Sequence, residues 1–131
     1  MSQATTEQMK ARTKNFALRI VRLYQSLPKA EENRVIGRQV LRSGTSVGAN
    51  YRAVCRARSD KDFLSKLGIV IEEIDETAFW IELLIEADLV PAAKLAPLLQ
   101  ETNELLAIFG ATQRTLKARL GKSKPDSTGN K

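Results

Sequence analysis

Between Leu64 and Ile85, the apolar residues Leu64, Leu67, Ile71, Ile74, Ala78, Ile81 and Ile85 recur every three or four positions without a gap. That spacing puts them on one face of an α-helix. Ile69, Trp80 and Leu84 fall on a second side of the same helix. A helix apolar on two sides must be covered on two sides. The segment is therefore predicted to form the centre of a helical core and also of a subunit interface. Ser59 stands where an N-cap is wanted, and Asp60 and Asp62 complement the helix dipole in the first turn. This helix is predicted to run from just after Ser59 to about Ala87.

Three further helices surround it in the chain. The first is predicted over about Thr6 to Ser26, with Met9, Thr13, Phe16, Ile20, Leu23 and Leu27 on its apolar side and Pro28 ending it. The second runs from about Ala30 to Ala57, with Ile36, Val40, Ser43, Val47, Asn50 and Val54 on one stripe. The fourth starts near Pro91 and continues to about Leu120. Its stripe is Leu95, Leu99, Thr102, Leu106, Phe109, Gln113, Leu116 and Leu120. No alternation of β-branched residues reads as a strand. The fold expected is all-α: an up-and-down antiparallel four-helix bundle in one domain, residues 1–120. The remainder, 121–131, is polar and rich in Gly, Pro and Ser, and is expected to be a disordered tail.

Composition narrows the chemistry. Histidine is absent, which removes the commonest general base and the commonest transition-metal ligand together. The single cysteine, Cys55, forms no internal disulfide and no Cys-rich zinc site. The polar N-terminus has no apolar signal region, and no apolar run, 67–71 among them, is long enough to span a bilayer. A cytoplasmic protein without membrane association is expected, with no cofactor and no metal. The stretch from Gly44 to Asn50 shares Gly, Thr and Ser with phosphate loops but lacks their Gly-Lys-Ser/Thr ending. Ser46 has no histidine to activate it. The chain is expected not to be an enzyme.

The second helix combines two features. Small residues, Ser43, Gly44, Thr45, Ser46, Gly48 and Ala49, occupy its middle. Glycine costs about 1 kcal/mol against alanine inside a helix, so Gly44 and Gly48 point to the close approach of another backbone. They are assigned, with Trp80, to helix packing or an oligomer interface. On the side opposite the apolar stripe, Arg34, Arg38, Arg42, Arg52 and Arg56 collect, provided the helix continues through the glycines. Charge is segregated along the chain. Residues 1–58 hold 12 Lys and Arg against 3 Asp and Glu, residues 59–90 hold 2 against 9, and residues 91–131 hold 7 against 3. Such a chain can neutralise itself by packing segments together, and it can leave a basic surface for polyanions.

The acids of the third helix, Glu72, Glu73, Asp75, Glu76, Glu82 and Glu86, are read as facing those arginines or water rather than a metal. Glu73 is the exception, because its phase lies among Ile69, Trp80 and Leu84. A buried Glu needs a partner, and Arg42 or Arg38 is placed to supply it. Cys55 is read as a small residue at the helix edge, with no resolving cysteine for redox work.

The succession of a basic helix, the run RSGTSVGANYRA, and then SDKDFLSKLGIVIEEIDETAFWIELL resembles the four-helix-bundle proteins named after 23S rRNA intervening sequences. The residues that carry this are Ser43, Thr45, Ser46, Gly48, Ala49, Asn50, Asp62, Phe63, Glu73, Glu76, Thr77 and Trp80, and the similarity extends over about Phe16 to Leu120. The resemblance implies a bundle that assembles into a ring-like oligomer, most often a homopentamer. It also implies kinship with the accessory variability proteins of diversity-generating retroelements, which are basic and work with nucleic acid and a reverse transcriptase. It carries no catalytic residues.

Two functions follow as expectations. The first is a non-enzymatic oligomeric module that binds RNA or DNA through Arg34, Arg38, Arg42, Arg52 and Arg56. The second is a protein–protein adaptor or scaffold whose basic face binds an acidic partner.

Overall fold

The computed structural model describes residues 3–123. It contains four helices: α1 (Gln3–Ser26), α2 (Glu31–Cys55), α3 (Asp60–Glu86) and α4 (Ala92–Ser123). The described residues hold no strand. The all-α four-helix bundle expected from periodicity is the fold observed. Helix α4 runs three residues beyond the expected end at Leu120, so 121–123 are helical, and the rest of the expected tail lies outside the described residues.

Local chemistry explains the boundaries. Ser59 caps α3, its hydroxyl accepting from the Asp62 amide at 3.0 Å. The α3–α4 link turns at Asp88, whose φ of 58° is left-handed, a conformation Asp tolerates better than most residues. There the Leu84 carbonyl accepts from the amides of Leu89 and Val90, satisfying the helix end. Pro97 sits in the second turn of α4, where it removes one intrahelical hydrogen bond without ending the helix.

Helix α2 runs unbroken through Gly44 and Gly48. The reason lies in its neighbour. A Cβ on Gly44 would lie 2.6 Å from Ile20 Cγ1, and one on Gly48 would lie 3.3 Å from the Thr13 carbonyl oxygen. The two glycines thus let α2 approach α1 within the chain. Their partners descend along α1 as α2 ascends, so the two helices are antiparallel. Helix α3 packs on both α2 and α4. A buried hydroxyl pair joins α2 to α3: Thr77 donates to Ser43 at 2.8 Å, and Ser43 donates on to the Gln39 carbonyl at 2.9 Å.

The core is formed by Met9, Phe16, Ile20, Val40, Val47, Tyr51, Val54, Leu67, Ile74, Ile81, Leu84, Leu105 and Phe109, among others. It differs from the sequence reading at positions of α2, α3 and α4, and in α3 Leu64, Ile71 and Ile85 are only partly buried while Val70 and Thr77 are buried. In α2 the buried positions include Gly37 and Tyr51, while Ile36 and Asn50 are only partly buried. In α4, Leu98 and Leu105 are buried, while Leu99 and Leu106 are only partly so. In α3, Leu84 belongs to the chain's own core and not to a second face. That second face is left with Ile69, 45% exposed, and the half-buried Trp80, and beside them Phe79, 54% exposed.

Candidate nucleic-acid interface

The continuity of α2 keeps its arginines on one side, but the bundle does not leave them equivalent. Arg42 reaches across to α3. Its guanidinium donates to Glu73 at 3.3 Å and, more closely, to Glu76. Trp80 Nε1 donates to the same Glu76 carboxylate at 3.0 Å. The Trp80 bond and the Arg42 pair hold the Glu76 carboxyl below the usual range, and Glu76 in turn pushes Arg42 up. Arg42 is therefore occupied by α3 and is removed from the set of candidate ligand contacts. Two details of the expected ion pair also change. Its tighter acid is Glu76 rather than Glu73. It is also a half-exposed rung rather than a buried pair, since 51% of the Arg42 side chain and 20% of Glu73 remain accessible. Trp80, assigned to packing or an interface, is fixed by Glu76 and meets Phe79 edge-on at 4.9 Å.

Arg34 pairs with Glu31 one turn away at 2.9 Å on the exposed surface. Such a pair is weak, about 0–1 kcal/mol. Arg38, Arg52 and Arg56 are exposed and make no ion pair among the described residues. Arg52 and Arg56 line a groove of about 430 Å³ between α1 and α2. Its opposite wall supplies Lys10 and Lys14, and its floor is Ala17, Thr45, Gly48, Ala49 and Ala53. Lys10 touches Glu7 at 3.3 Å at the rim, and no carboxylate lines the groove. Gly48, one of the two glycines that admit α1, thus also lies in the floor between two cationic walls. Each wall pair stands four residues apart, one helical turn, on the same helix face.

Lys10 and Lys14 were not singled out in the sequence. The available signal was that each immediately follows a stripe residue, Met9 and Thr13, and that Thr13 is the residue Gly48 packs against. No aromatic side chain lines the groove. Tyr51, the nearest in sequence, is 2% exposed and packs on Phe109 at 5.2 Å, and burial pushes its phenol up. Cys55 carries a free thiol and is partly buried. Among the described residues no group of three or more acid or cysteine side chains converges as a metal site, and no helix is long and apolar enough to cross a membrane.

On the far side of α1, Arg12 bridges to α4. It donates to both carboxylate oxygens of Glu101, at 2.8 and 2.7 Å, and to Glu104 at 2.8 Å. The Glu101 hydrogen bond pushes the Arg12 guanidinium above its ordinary range. This bidentate rung joins the first helix to the last.

Residues 6–111 match the family described as 23S rRNA-intervening sequence protein. Among solved structures, the chain is similar to a protein of unknown function from the S23 ribosomal protein family of Bacteroides thetaiotaomicron. The two are 34% identical with a TM-score of 0.77, over 83% of this chain and 97% of the other. No curated protein matches.

Proposed function

The chain belongs to the 23S rRNA-intervening sequence protein family, and on that footing we propose that it is a non-enzymatic, self-assembling module that binds the phosphate backbone of RNA or DNA. The observation that carries this is the α1–α2 groove: four cations on two walls, a floor of small side chains, and no carboxylate in the lining. A concave surface of one charge concentrates the field and raises the local concentration of polyanions. Arginine forks suit phosphate oxygens bidentately, and lysine adds point charge. Arg38 extends the same stripe along α2. Self-assembly is supported by the apolar side chains left in water on α2 and α3, Val35, Ile69 and Phe79, which a second copy would cover. The number of copies implied by the resemblance is five.

Fluorescence anisotropy with a labelled RNA strand and a labelled DNA duplex across a salt series tests the binding. Arg52→Glu with Arg56→Glu should abolish it and leave the melting curve unchanged. In single substitutions, removing one cation from a phosphate should flatten the plot of log affinity against log salt by about 0.7 for a single strand and about 0.9 for duplex. Wild-type protein that binds neither probe at low salt refutes the reading. Light scattering tests assembly, and a monomer at micromolar concentration refutes it.

A further inference from the structure

The seam between α1 and α4 carries cations of two kinds. Arg12 is compensated, holding Glu101 and Glu104. Towards the other end of the seam, Arg19, Arg22 and Lys94 border a groove of about 310 Å³. No carboxylate lines this groove, and none of the three cations makes an ion pair among the described residues. Unpaired like charges on a concave surface repel one another, and an anionic ligand relieves that repulsion.

The floor indicates which anion. It is aliphatic: Leu23, Val90, Leu95 and Leu98 are core residues whose edges reach the groove. The one lining hydroxyl, Ser26, already donates to the Leu23 carbonyl at 2.8 Å. The floor itself has no aromatic ring and no free hydroxyl or amide to stack on a base or read its edge, so it offers a nucleotide little. It does offer an aliphatic side chain a place to leave water. The α1–α2 groove is the contrast, because its floor is alanine, glycine and threonine beneath twice two cations. The preference for carboxylates comes from the Arg12 rung, which shows within this seam how acidic side chains meet an arginine of α1.

We propose that the α1–α4 groove docks an acidic segment of a partner protein, in which an aliphatic side chain is flanked by carboxylates. The aliphatic group enters the floor, and the carboxylates pair with Arg19, Arg22 and Lys94. The site lies on a different side of α1 from Lys10 and Lys14, so it does not depend on the nucleic-acid reading, and the protein can hold both ligands at once.

The test uses the full chain and two short labelled peptides at low salt. One is rich in Glu and Asp with leucines in amphipathic order, and the other has every leucine replaced by serine. The leucine peptide should bind at least about tenfold more tightly than the serine peptide, the gain expected from one buried aliphatic side chain. Arg22→Glu with Lys94→Glu should weaken it about tenfold or more, with an unchanged melting curve. Arg52→Glu with Arg56→Glu should weaken it clearly less, through the long-range field alone, because those residues lie outside this groove. Four outcomes overturn the proposal. They are no binding of the leucine peptide, equal binding of the two peptides, equal weakening in both double variants, and loss of RNA binding rather than peptide binding in the Arg22/Lys94 variant. The last would make the groove a phosphate site.

Discussion

Replacing Gly44 by alanine sets two effects of known sign against each other. Alanine is a better helix former than glycine by about 1 kcal/mol, and Gly44 lies in mid-helix, where that gain applies in full. The new Cβ, however, would stand 2.6 Å from Ile20 Cγ1 and 2.9 Å from both Ile20 Cδ1 and Cγ2. Three atoms of one side chain are involved, so rotating a single terminal methyl does not clear the clash. Ile20 is itself 0% exposed and has no solvent to move into. Either Ile20 leaves its rotamer or α1 and α2 separate, and overpacking of that kind costs about 1–3 kcal/mol. Gly68 supplies the control, since it is also in mid-helix and a Cβ there meets nothing within 4 Å. Gly68→Ala should therefore stabilise by roughly 0.5–1 kcal/mol. The difference between the two substitutions, about 1–3 kcal/mol, isolates the packing cost because the helix-propensity gain cancels. Urea unfolding followed by far-ultraviolet circular dichroism at one fixed protein concentration measures both. Gly48→Leu, which drives a large side chain at the Thr13 backbone, should be more damaging than either. If Gly44→Ala is as stable as Gly68→Ala, the glycines are not there to admit α1.

Glu73→Ala should destabilise by about 1 kcal/mol and Glu82→Ala by close to nothing, because only Glu73 holds a cross-helix arginine and that pair is half in water; equal melting temperatures would refute this. The carboxyl of Glu76 is held below its ordinary range by Trp80 and Arg42, so its stabilising contribution is complete above the usual Glu value of about 4.3 and is lost as pH falls through the depressed folded value. Thermal melts from neutral to acid pH should show a steeper loss for wild type than for Glu76→Gln, and parallel curves would refute the assignment.

Much of this molecule was written in local pattern. The four helices and the Ser59 cap follow from spacing near 3.6 and from capping chemistry. These depend on residues one or two turns apart and are legible in the chain alone, whereas the gathering of the arginines on one side of α2 required the helix to continue through Gly44 and Gly48, which its packing on α1 supports. Where adjacent residues were chemically alike, periodicity had nothing to choose between. Leu98–Leu99 and Leu105–Leu106 each offer two leucines about 100° apart, and only the position of α3 decides which is covered. The same holds for Leu84, which the core takes in. Charge was decided at still longer range. Arg42 and Arg52 both lie on the side of α2 away from its apolar stripe, about 80° apart, yet Arg42 meets Glu73 and Glu76 on α3 while Arg52 faces Lys10 and Lys14 of α1 across a groove. Whether an arginine is neutralised or left free depends on what the neighbouring helix places within about 4 Å of it, and that distance is set by how α1 and α3 pack on α2.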